Sequence, residues 1–140
     1  MLKAYRYRLY PTKEQQNMFE RTFGCARKVW NLMLADKIAY YKETGKNLMV
    51  TPAKYKKMEE YSYLKEVDSL ALANVQMDLQ QAYSNFYNRV KKGRKAGFPK
   101  FKSRKRSRNS YSTNNQNGSV RIENGKIKLP KGGFVKIVQR

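Results

Sequence analysis

The spacing of apolar residues divides the chain into a strand, a helical middle and a second set of strands. Residues 2–10 alternate between apolar and cationic side chains up to Pro11, which predicts a basic β-strand. Thr12, with Gln15 three residues later, has the pattern of a capping box, and apolar residues then recur at a spacing near 3.6 as far as Gly45. A long amphipathic helix is therefore predicted between Thr12 and Gly45.

The middle of the chain predicts two further helices. Thr51 followed by Pro52 is a typical helix start, and a short helix is expected over residues 53–61. Asp68 can cap the next helix, whose apolar stripe runs over residues 72–90 and ends in a strongly basic segment. Three helices therefore separate the first strand from the basic segment.

The last part of the chain has the pattern of β-structure. Short alternating segments are separated by Asn-Gly pairs, the strongest short-range hairpin signal, and by a stretch containing Pro and Gly. The predicted strands cover residues 109–115, 119–123, 126–129 and 134–138. This order of elements predicts an α+β fold in which the chain leaves a small barrel or sheet and later re-enters it.

Charge identifies the class of partner. The 140 residues contain 31 Lys and Arg against 10 Asp and Glu, a formal net charge of +21, so the folded chain needs a polyanion or counterions to neutralise it. Nucleic acid is the leading partner and an anionic membrane surface is the second. Apolar residues make up 40% of the chain and aromatic residues 13%, which is too many for a wholly disordered basic protein.

Composition also excludes several kinds of site. The single cysteine, Cys25, cannot form an intrachain disulfide, and a chain without histidine lacks the usual ligands of a zinc site. No apolar run is long enough to span a membrane and no signal peptide is recognisable, so a reducing cytoplasm is expected. The carboxylates are spaced as solvated helix positions or caps. We therefore predict no catalytic residue, no metal and no cofactor.

The most informative segment is residues 91–108, where ten of eighteen residues are cations. It lies inside a longer stretch, residues 79–122, that contains no carboxylate. Such a run is either a solvated linker or a segment that tracks phosphates. The aromatic residues Phe98, Phe101 and Tyr111 are predicted either to stack on unpaired bases, at about 1–3 kcal/mol each, or to anchor the segment to the core.

Six pieces of sequence, in order along nearly the whole chain, resemble the amino-terminal half of the TnpB/OrfB family. Arg-Leu-Tyr-Pro and Gly-Phe-Pro-Lys-Phe-Lys are the most specific of them when taken together. The pieces are residues 7–12 with Gln15, 24–27 with Trp30 and Asn31, 63–67, 82–87, 97–102 and 127–130. Members of this family are transposon-encoded RNA-guided nucleases, similar to the ancestors of type V CRISPR effectors.

The resemblance implies a wedge domain that carries an inserted recognition domain. The wedge would be a partial oligonucleotide-binding-like β-barrel, built from the first strand in residues 1–11 and the later strands in residues 109–140, and incomplete within this chain. A three-helix recognition domain would occupy residues 12–92. The basic segment, residues 93–108, would connect that domain back to the barrel.

By the same resemblance, the chain is expected to be the non-catalytic, nucleic-acid-binding portion of an RNA-guided DNA endonuclease. It would hold guide RNA and read a target-adjacent motif on DNA, while base pairing reads the rest of the target. The family's RuvC-like nuclease centre and zinc ribbon would follow residue 140, so cleavage by this chain alone is not expected. Expected partners are guide RNA, target DNA and the missing nuclease half or a full-length relative, in a prokaryotic cytoplasm in association with the nucleoid and not at a membrane.

Three other functions stay open. The chain could be a natural truncated relative that regulates or inhibits full-length nucleases by competing for guide RNA or target. It could bind duplex DNA without a guide through its second and third helices, although the linker over residues 44–51 is unlike the short turn of a helix-turn-helix. A ribosomal-like RNA-binding protein would fit the charge, but it would not explain the ordered motif match.

Candidate contact residues follow from the resemblance, position by position. Those expected to read the DNA motif are Val50, Lys54, Ser69, Leu70, Ala73, Asn74, Gln116 and Asn117. Those expected to contact RNA phosphates and 2′-hydroxyls are Lys3, Arg6, Arg8, Arg27, Lys100, Lys102, Arg104, Lys128 and Lys131. The three amide side chains of the first set can hydrogen-bond base edges, while Leu70 and Ala73 either contact a thymine methyl or pack within the helices.

Overall fold

A computed structural model describes residues 7–106, 109–116 and 118–139. The architecture is α+β, as predicted, with a helical part in the middle of the chain and one antiparallel sheet. The elements are β1 (Tyr7–Tyr10), α1 (Lys13–Thr44), α2 (Pro52–Lys56), a 3₁₀ helix (Glu59–Glu66), α3 (Ser69–Lys91), β2 (Arg121–Glu123), β3 (Lys126–Leu129) and β4 (Gly133–Gln139).

The long helix α1 begins and ends where the sequence predicts. The Thr12 hydroxyl accepts from the Gln15 N–H at 3.2 Å, and the Gln15 side chain accepts from the Thr12 N–H at 2.9 Å, which completes the capping box. At the other end, Gly45 has a φ of +72° and donates its N–H to the Tyr41 carbonyl. This left-handed residue ends the helix because glycine adopts a positive φ without a Cβ clash.

The apolar stripes of α1 and α3 form the helical core. Val29, Met33 and Leu34 of α1 are buried together with Leu72 and Leu79 of α3. Each fully buried aliphatic side chain contributes about 1.5–3 kcal/mol relative to leaving it exposed, so this seam supplies most of the stability of the helical part. The seam also fixes the distance between the two helices that flank the candidate site.

The short elements between the two long helices close one end of this core. Tyr55 of α2 is buried and donates its hydroxyl to the Asp36 carboxylate of α1 at 2.6 Å, and Leu64 of the 3₁₀ helix is buried beneath it in the same cluster. The predicted helix over residues 53–61 is therefore shorter than expected. Only one turn and a half follows Pro52, and the chain then continues as a 3₁₀ helix.

The four strands form one open sheet in the order β1-β4-β3-β2, with antiparallel pairing throughout. The strand at the start of the chain pairs with the strand at its end, with Leu9 opposite Ile137. The chain therefore leaves the sheet and re-enters it, as predicted. Asn124 and Gly125, both with positive φ, make the tight turn between β2 and β3, which confirms the hairpin expected at this Asn-Gly pair.

Side-chain hydrogen bonds join the sheet to the helical part. The Gln15 side-chain amide donates to the Phe134 carbonyl at 2.7 Å, so the first turn of α1 is bound to β4. The Lys131 amine, in the turn before β4, donates to the Lys65 carbonyl of the 3₁₀ helix at 2.7 Å. Val135 of β4 is fully buried, so the inner face of the sheet is covered where these contacts are made.

The prediction of a strand over residues 109–115 is wrong. The described residues of this segment form no strand, and their polar groups bond to α3. Asn, Ser and Thr side chains offer the backbone such alternatives to a ladder of strand hydrogen bonds. The next predicted strand, residues 119–123, is shortened to Arg121–Glu123, because the Ser119 N–H bonds to the Gln116 carbonyl in a turn.

Candidate nucleic-acid interface

The basic connecting segment is fixed to α1 through its backbone. The Trp30 indole Nε1 donates to the Lys100 carbonyl at 2.8 Å. The Asn31 side chain bonds both backbone groups of Lys102, donating to its carbonyl at 2.9 Å and accepting from its N–H at 2.8 Å. The Lys102 Nζ lies 4.2 Å from the centroid of the Trp30 ring, within cation–π distance. We term these contacts the backbone clamp; they hold the segment on α1 while the Lys100 side chain stays exposed.

A later stretch of the same connection crosses the start of α3. The buried Asp68 carboxylate, which caps α3, accepts a hydrogen bond from the Thr113 hydroxyl. The Asn74 amide donates to the Ser112 carbonyl at 3.1 Å and to the Asn114 side chain at 2.7 Å. The connection is therefore bound to α1 at one point and to α3 at another.

Tyr111 lies between these two points. Its ring centroid is 6.3 Å from that of Phe19 and 5.8 Å from that of Phe23, both on α1. Burial, with a smaller contribution from the negative charge of Asp68, raises the pKa of Tyr111 to about 12, so its hydroxyl is neutral at physiological pH. Phe98 likewise packs edge-on against two rings of α3. Both contacts match the anchoring alternative, and base stacking at these two positions stays a prediction.

A cavity of about 530 Å³ opens between α1, α3 and the connecting segment. We term it the cationic groove. Four cations line it, together with the aromatic rings of Phe23, Phe101 and Tyr111, and Asp78 is the one carboxylate among its described lining residues. The cations are Arg27, Lys100, Lys102 and Arg106. Phe101 is 57% exposed, so one ring at this site presents a free face to solvent.

The positive surface continues past the cationic groove. An adjoining cavity of about 370 Å³ shares Phe23 and Arg27 with it and adds Arg21 and Arg104. Glu20 also lines this second cavity. Arg21 has a nearby carboxylate, Glu66, at 4.0 Å, but both side chains are well exposed, and such pairs are worth little in water. The two cavities together present a row of cations along one side of α1.

Several of the predicted phosphate contacts are close together in space. Arg27, Lys100 and Lys102 line the cationic groove, and Arg104 lines the adjoining cavity. Arg106 was missed, although it belongs to the same basic run and alternates with Arg104. The backbone clamp was missed as well. Trp30 and Asn31 belong to one of the pieces that resemble the family, and Lys100 and Lys102 belong to another, but nothing in the sequence indicates that the two pieces are in contact.

The other predicted phosphate contacts lie on the sheet or outside the described residues. Arg8 on β1 is opposite Val138, and Lys128 on β3 is opposite Phe134, which places both cations on the same face of the sheet. That face also carries Lys126 and Lys136, which are opposite each other. Lys131 donates to a backbone carbonyl of the 3₁₀ helix. Lys3 and Arg6 lie outside the described residues.

The residues predicted to read a DNA motif lie in different environments. Val50 is only 6% exposed and belongs to the helical core, so its side chain is not available to a base. The Lys54 amine forms a 3.0 Å ion pair with the Asp36 carboxylate. The Asn74 amide donates to the connecting segment as described above. These three side chains are occupied by contacts within the protein.

The remaining motif-reading candidates lie near the start of α3 and in the loop before the sheet. Ser69 and Ala73 are exposed and Leu70 is half-buried. Gln116 is exposed. Its backbone N–H already donates to the Ser119 hydroxyl at 3.0 Å, so its side chain is the group that could contact a base edge. Asn117 lies outside the described residues.

Two features are absent from the described part of the chain. Within residues 7–106, 109–116 and 118–139, no group of three or more His, Cys, Asp or Glu residues is arranged to hold a metal ion. None of the described helices is both long enough and apolar enough to cross a membrane.

Comparison with known proteins identifies relatives of this sequence. Residues 1–46 match the helix-turn-helix domain of IS605 OrfB proteins. In the described part of that region, residues 7–46, the structure has one strand and one helix that continues without a break from Lys13 to Thr44. The matched region is therefore a strand followed by a single long helix in this protein.

Three curated proteins are similar to the chain. A Streptomyces pristinaespiralis protein named as an RNA-guided DNA endonuclease is 36% identical over 134 residues, which cover 92% of this chain and 32% of that protein. The Escherichia coli RNA-guided DNA endonuclease InsQ is 29% identical over 140 residues, 96% of this chain and 33% of InsQ. The Salmonella dublin virulence protein VsdF is 34% identical over 114 residues, 73% of this chain and 93% of VsdF.

The domain match and the two endonuclease matches agree with the family resemblance described for the sequence. The chain spans about a third of the length of the two endonuclease relatives and nearly all of VsdF. The match to the OrfB domain begins at residue 1 and covers β1 and α1. The chain belongs to the TnpB/OrfB family and corresponds to its amino-terminal part.

Proposed function

We propose that the cationic groove binds the phosphate backbone of a nucleic acid, as the non-catalytic binding portion of an RNA-guided DNA endonuclease. The observation that carries this proposal is that α1 and the connecting segment together place four cations and an exposed aromatic ring around one cavity, which α3 also lines. A solvated linker would not bring Arg27 of α1 beside Lys100 of the connection. The endonuclease names of two relatives supply the class of machinery to which such a binding portion belongs.

The backbone clamp determines how the groove would work. Because Trp30 and Asn31 engage the backbone of Lys100 and Lys102, the side chain of Lys100 keeps its charge exposed for a phosphate. Each phosphate that a cation neutralises releases condensed counterions, which makes binding strongly dependent on salt. Phe101, held between the two clamped residues, is the ring best placed to stack on an unpaired base.

Guide RNA and target DNA are the partners we assign. We infer that RNA is held by the cationic groove together with the basic face of the sheet that carries Arg8 and Lys128. For the DNA motif, the available candidates are the exposed side chains of Ser69, Ala73 and Gln116. Phosphate contacts position a strand and base contacts read it, so affinity and sequence preference would come from different residues.

The fold suggests that different parts of the chain form distinct structural units. We propose that the open sheet is part of an oligonucleotide-binding-like barrel made from residues 1–11 and 109–140. Residues 12–92 would form an inserted three-helix recognition domain, with residues 93–108 as the connection between them. This proposal is supported by the pairing of β1 with β4, which returns the chain to its starting point after the helices.

We assign no cleavage step to this chain. The assay is incubation of the purified protein with Mg²⁺, guide RNA and a target duplex, and cut DNA would refute this assignment. Intact DNA that is nevertheless retained by the protein in a guide-dependent manner supports it. The two outcomes separate a binding portion from a self-sufficient nuclease.

The proposed groove is tested by a binding titration with salt as the variable. The wild type and a variant with Arg27→Ala and Lys100→Ala are titrated with single-stranded RNA, structured RNA and duplex DNA at about 50 and about 200 mM salt. Each lost phosphate contact should reduce the slope of log affinity against log salt by about 0.7 for a single strand and about 0.9 for a duplex. Lys57→Ala, an exposed cation outside both cavities, removes charge without touching the groove.

The Lys57→Ala control distinguishes binding at the cationic groove from a general attraction of nucleic acid to the positive charge of the chain. If Lys57→Ala weakens binding as much per charge as the groove variant, or if all three nucleic acids bind equally and lose their affinity together with salt, the groove has no special role. A larger loss in the groove variant, with a preference for structured RNA, supports the proposal.

A second candidate function rests on the length of one relative. VsdF is a separate protein that the chain matches over 93% of its length. A protein of this size in the same family would bind guide RNA or target without the rest of an endonuclease and compete with full-length relatives. Co-expression with an intact family nuclease tests this role, and an unchanged rate of cleavage would exclude it.

A further inference from the structure

A second groove lies between the C-terminal halves of α1 and α3. Its volume is about 640 Å³, within the range of about 300–1,000 Å³ that is usual for small-molecule sites. Five aromatic rings contribute to its walls: Tyr41, Tyr83, Phe86, Tyr87 and Phe98. We term it the aromatic groove. It is separate from the cationic groove, and none of its lining residues is shared with that site.

Four of the five rings of this groove pack against one another. Phe98 stands nearly perpendicular to Tyr83 and Phe86, with centroids 5.5 and 5.3 Å away. Tyr87 contacts Phe86 with centroids 5.4 Å apart. Edge-to-face packing of this kind fixes these four rings, so the ring of Tyr87, which is 37% exposed, needs little ordering when a ligand arrives. Tyr41 adds a ring that is 55% exposed.

The charge around the rings narrows the choice of ligand. Lys37 and Lys42 line the groove, and there is no Asp or Glu among its described lining residues. The Lys37 amine is oriented by a 2.6 Å hydrogen bond to the Leu48 carbonyl and lies 5.4 Å from the Tyr83 ring centroid. A second copy of this chain would bring another net charge of +21 against these lysines, so self-association is disfavoured and the groove favours a ligand that is anionic as well as apolar.

The polar groups between the rings indicate a nucleobase more than an acidic protein helix. Asn47, Gln80 and three tyrosines line the groove, and the Tyr87 hydroxyl donates to the Asn47 side chain at 3.4 Å, a long bond that a base edge could replace. Amide and hydroxyl groups of this kind donate and accept in the way that base edges require. Grooves that take amphipathic helices are typically lined by aliphatic side chains and Met, whereas successive aromatic rings beside cations are typical of single-strand binding.

We propose that the aromatic groove binds an unpaired base of the same nucleic-acid strand whose phosphates occupy the cationic groove. Phe98 lines the aromatic groove and Phe101 lines the cationic groove. They are three positions apart in sequence, so their Cα atoms lie within about 11 Å and one strand can reach both sites. This inference rests on the proposed function, because the strand must be held before its base can be inserted.

The test compares two strands of equal charge: a short single-stranded RNA and its abasic counterpart. A variant with Tyr41→Leu and Tyr87→Leu keeps apolar side chains and removes two rings, while Tyr63→Leu removes an exposed tyrosine that lines neither groove. Thermal unfolding monitored by circular dichroism checks that all three proteins fold. We expect the double variant to bind the base-bearing RNA about tenfold more weakly and the abasic strand equally, since aromatic stacking changes affinity by about 5- to 150-fold per base. The Tyr63→Leu variant should bind both strands like the wild type.

A fluorescent base gives a second readout. An RNA with one 2-aminopurine is quenched when that base stacks on an aromatic ring, and the quenching should be present in the wild type and lost in the double variant. Unchanged affinity and unchanged quenching in the double variant overturn the inference while leaving the proposed function intact.

Two other results are also decisive. If the wild type binds neither strand, the proposed function fails and this inference fails with it. If an acidic amphipathic peptide binds the wild type but not the double variant, while both proteins bind RNA equally, the groove belongs to a protein partner and the inference is refuted.

Discussion

Replacing Asn31 with Ala removes half of the backbone clamp and is the sharpest test of how the basic connection is held. The Asn31 side chain makes two hydrogen bonds, at 2.9 and 2.8 Å, to the carbonyl and N–H of Lys102. An intramolecular hydrogen bond contributes about 0.5–1.5 kcal/mol, so the pair is worth about 1–3 kcal/mol. Both bonds are exposed, which allows water to replace them and favours the lower end of that range.

The loss should be local and not global. Lys102 loses its two hydrogen bonds to Asn31, but the seam between α1 and α3 is unchanged, so the melting temperature should change little. The Lys102 amide should exchange with solvent at least about five times faster, because 1 kcal/mol corresponds to about a fivefold change in an opening equilibrium. RNA affinity should fall by a similar factor, since Lys100 and Lys102 are then no longer preorganised.

The measurement is amide hydrogen exchange resolved at Lys102, with RNA binding followed in parallel. Asn88→Ala, at an exposed position of α3, is the matched control and should change neither quantity. An unchanged exchange rate at Lys102 in the Asn31→Ala protein would refute the reasoning, because the clamp would then not be what orders this segment. A large drop in melting temperature would also contradict it, since the clamp would then support the whole fold.

Three further predictions concern stability. Burial in the folded state raises the pKa of Tyr111 to about 12 from an ordinary 10.0. The contribution of Tyr111 to the free energy of unfolding is therefore complete below about pH 10 and is lost as the pH rises towards 12. Chemical denaturation across that range should show a decline in the free energy of unfolding that is smaller in Tyr111→Phe. Tyr55→Phe removes the 2.6 Å hydrogen bond to Asp36 and should lower the free energy of unfolding by about 1–2 kcal/mol in a denaturant titration, and an unchanged value would show that this bond is energetically silent. Gly45→Ala forces a residue with a Cβ to φ +72° and should destabilise the protein by about 1 kcal/mol. Gly97→Ala, at a position with open space around it, should leave the stability nearly unchanged. Equal effects of the two substitutions would contradict the role of Gly45 as the end of α1.

The sequence predicts the long helices well because their signals are local. The capping box at Thr12, the left-handed Gly45 and the cap at Asp68 each involve neighbours within a few residues, and the apolar stripes repeat over many turns. The Asn124-Gly125 hairpin is predictable for the same reason. Its two positive φ values suit this residue pair whatever the rest of the chain does.

The connection beyond the basic run could not be predicted in the same way. Its hydrogen-bond partners, Asp68 and Asn74, lie about forty residues away, so an alternating pattern suggested a strand where tertiary bonds hold an irregular segment. The candidate site shares this difficulty. Arg27 and Lys100 carry the right chemistry in sequence, but only the contact between Trp30 and Lys100, seventy residues apart, brings them to one groove. Val50 was assigned to motif reading by family resemblance alone, and in the structure its side chain packs in the helical core.

The pairing of β1 with β4 sets an order for folding during synthesis. Tyr7 is paired with Gln139, so the first strand waits for more than 130 residues before its neighbour exists. At about 5–20 residues per second, that delay is roughly 7–26 s, long enough for the helical part to fold first from contacts closer in sequence. During this time β1 has an unpaired edge, and the positive charge of Arg8 at its middle discourages association with other nascent chains. A ribosome that stalls before β4 would therefore release a folded helical part with an unpaired strand at its start.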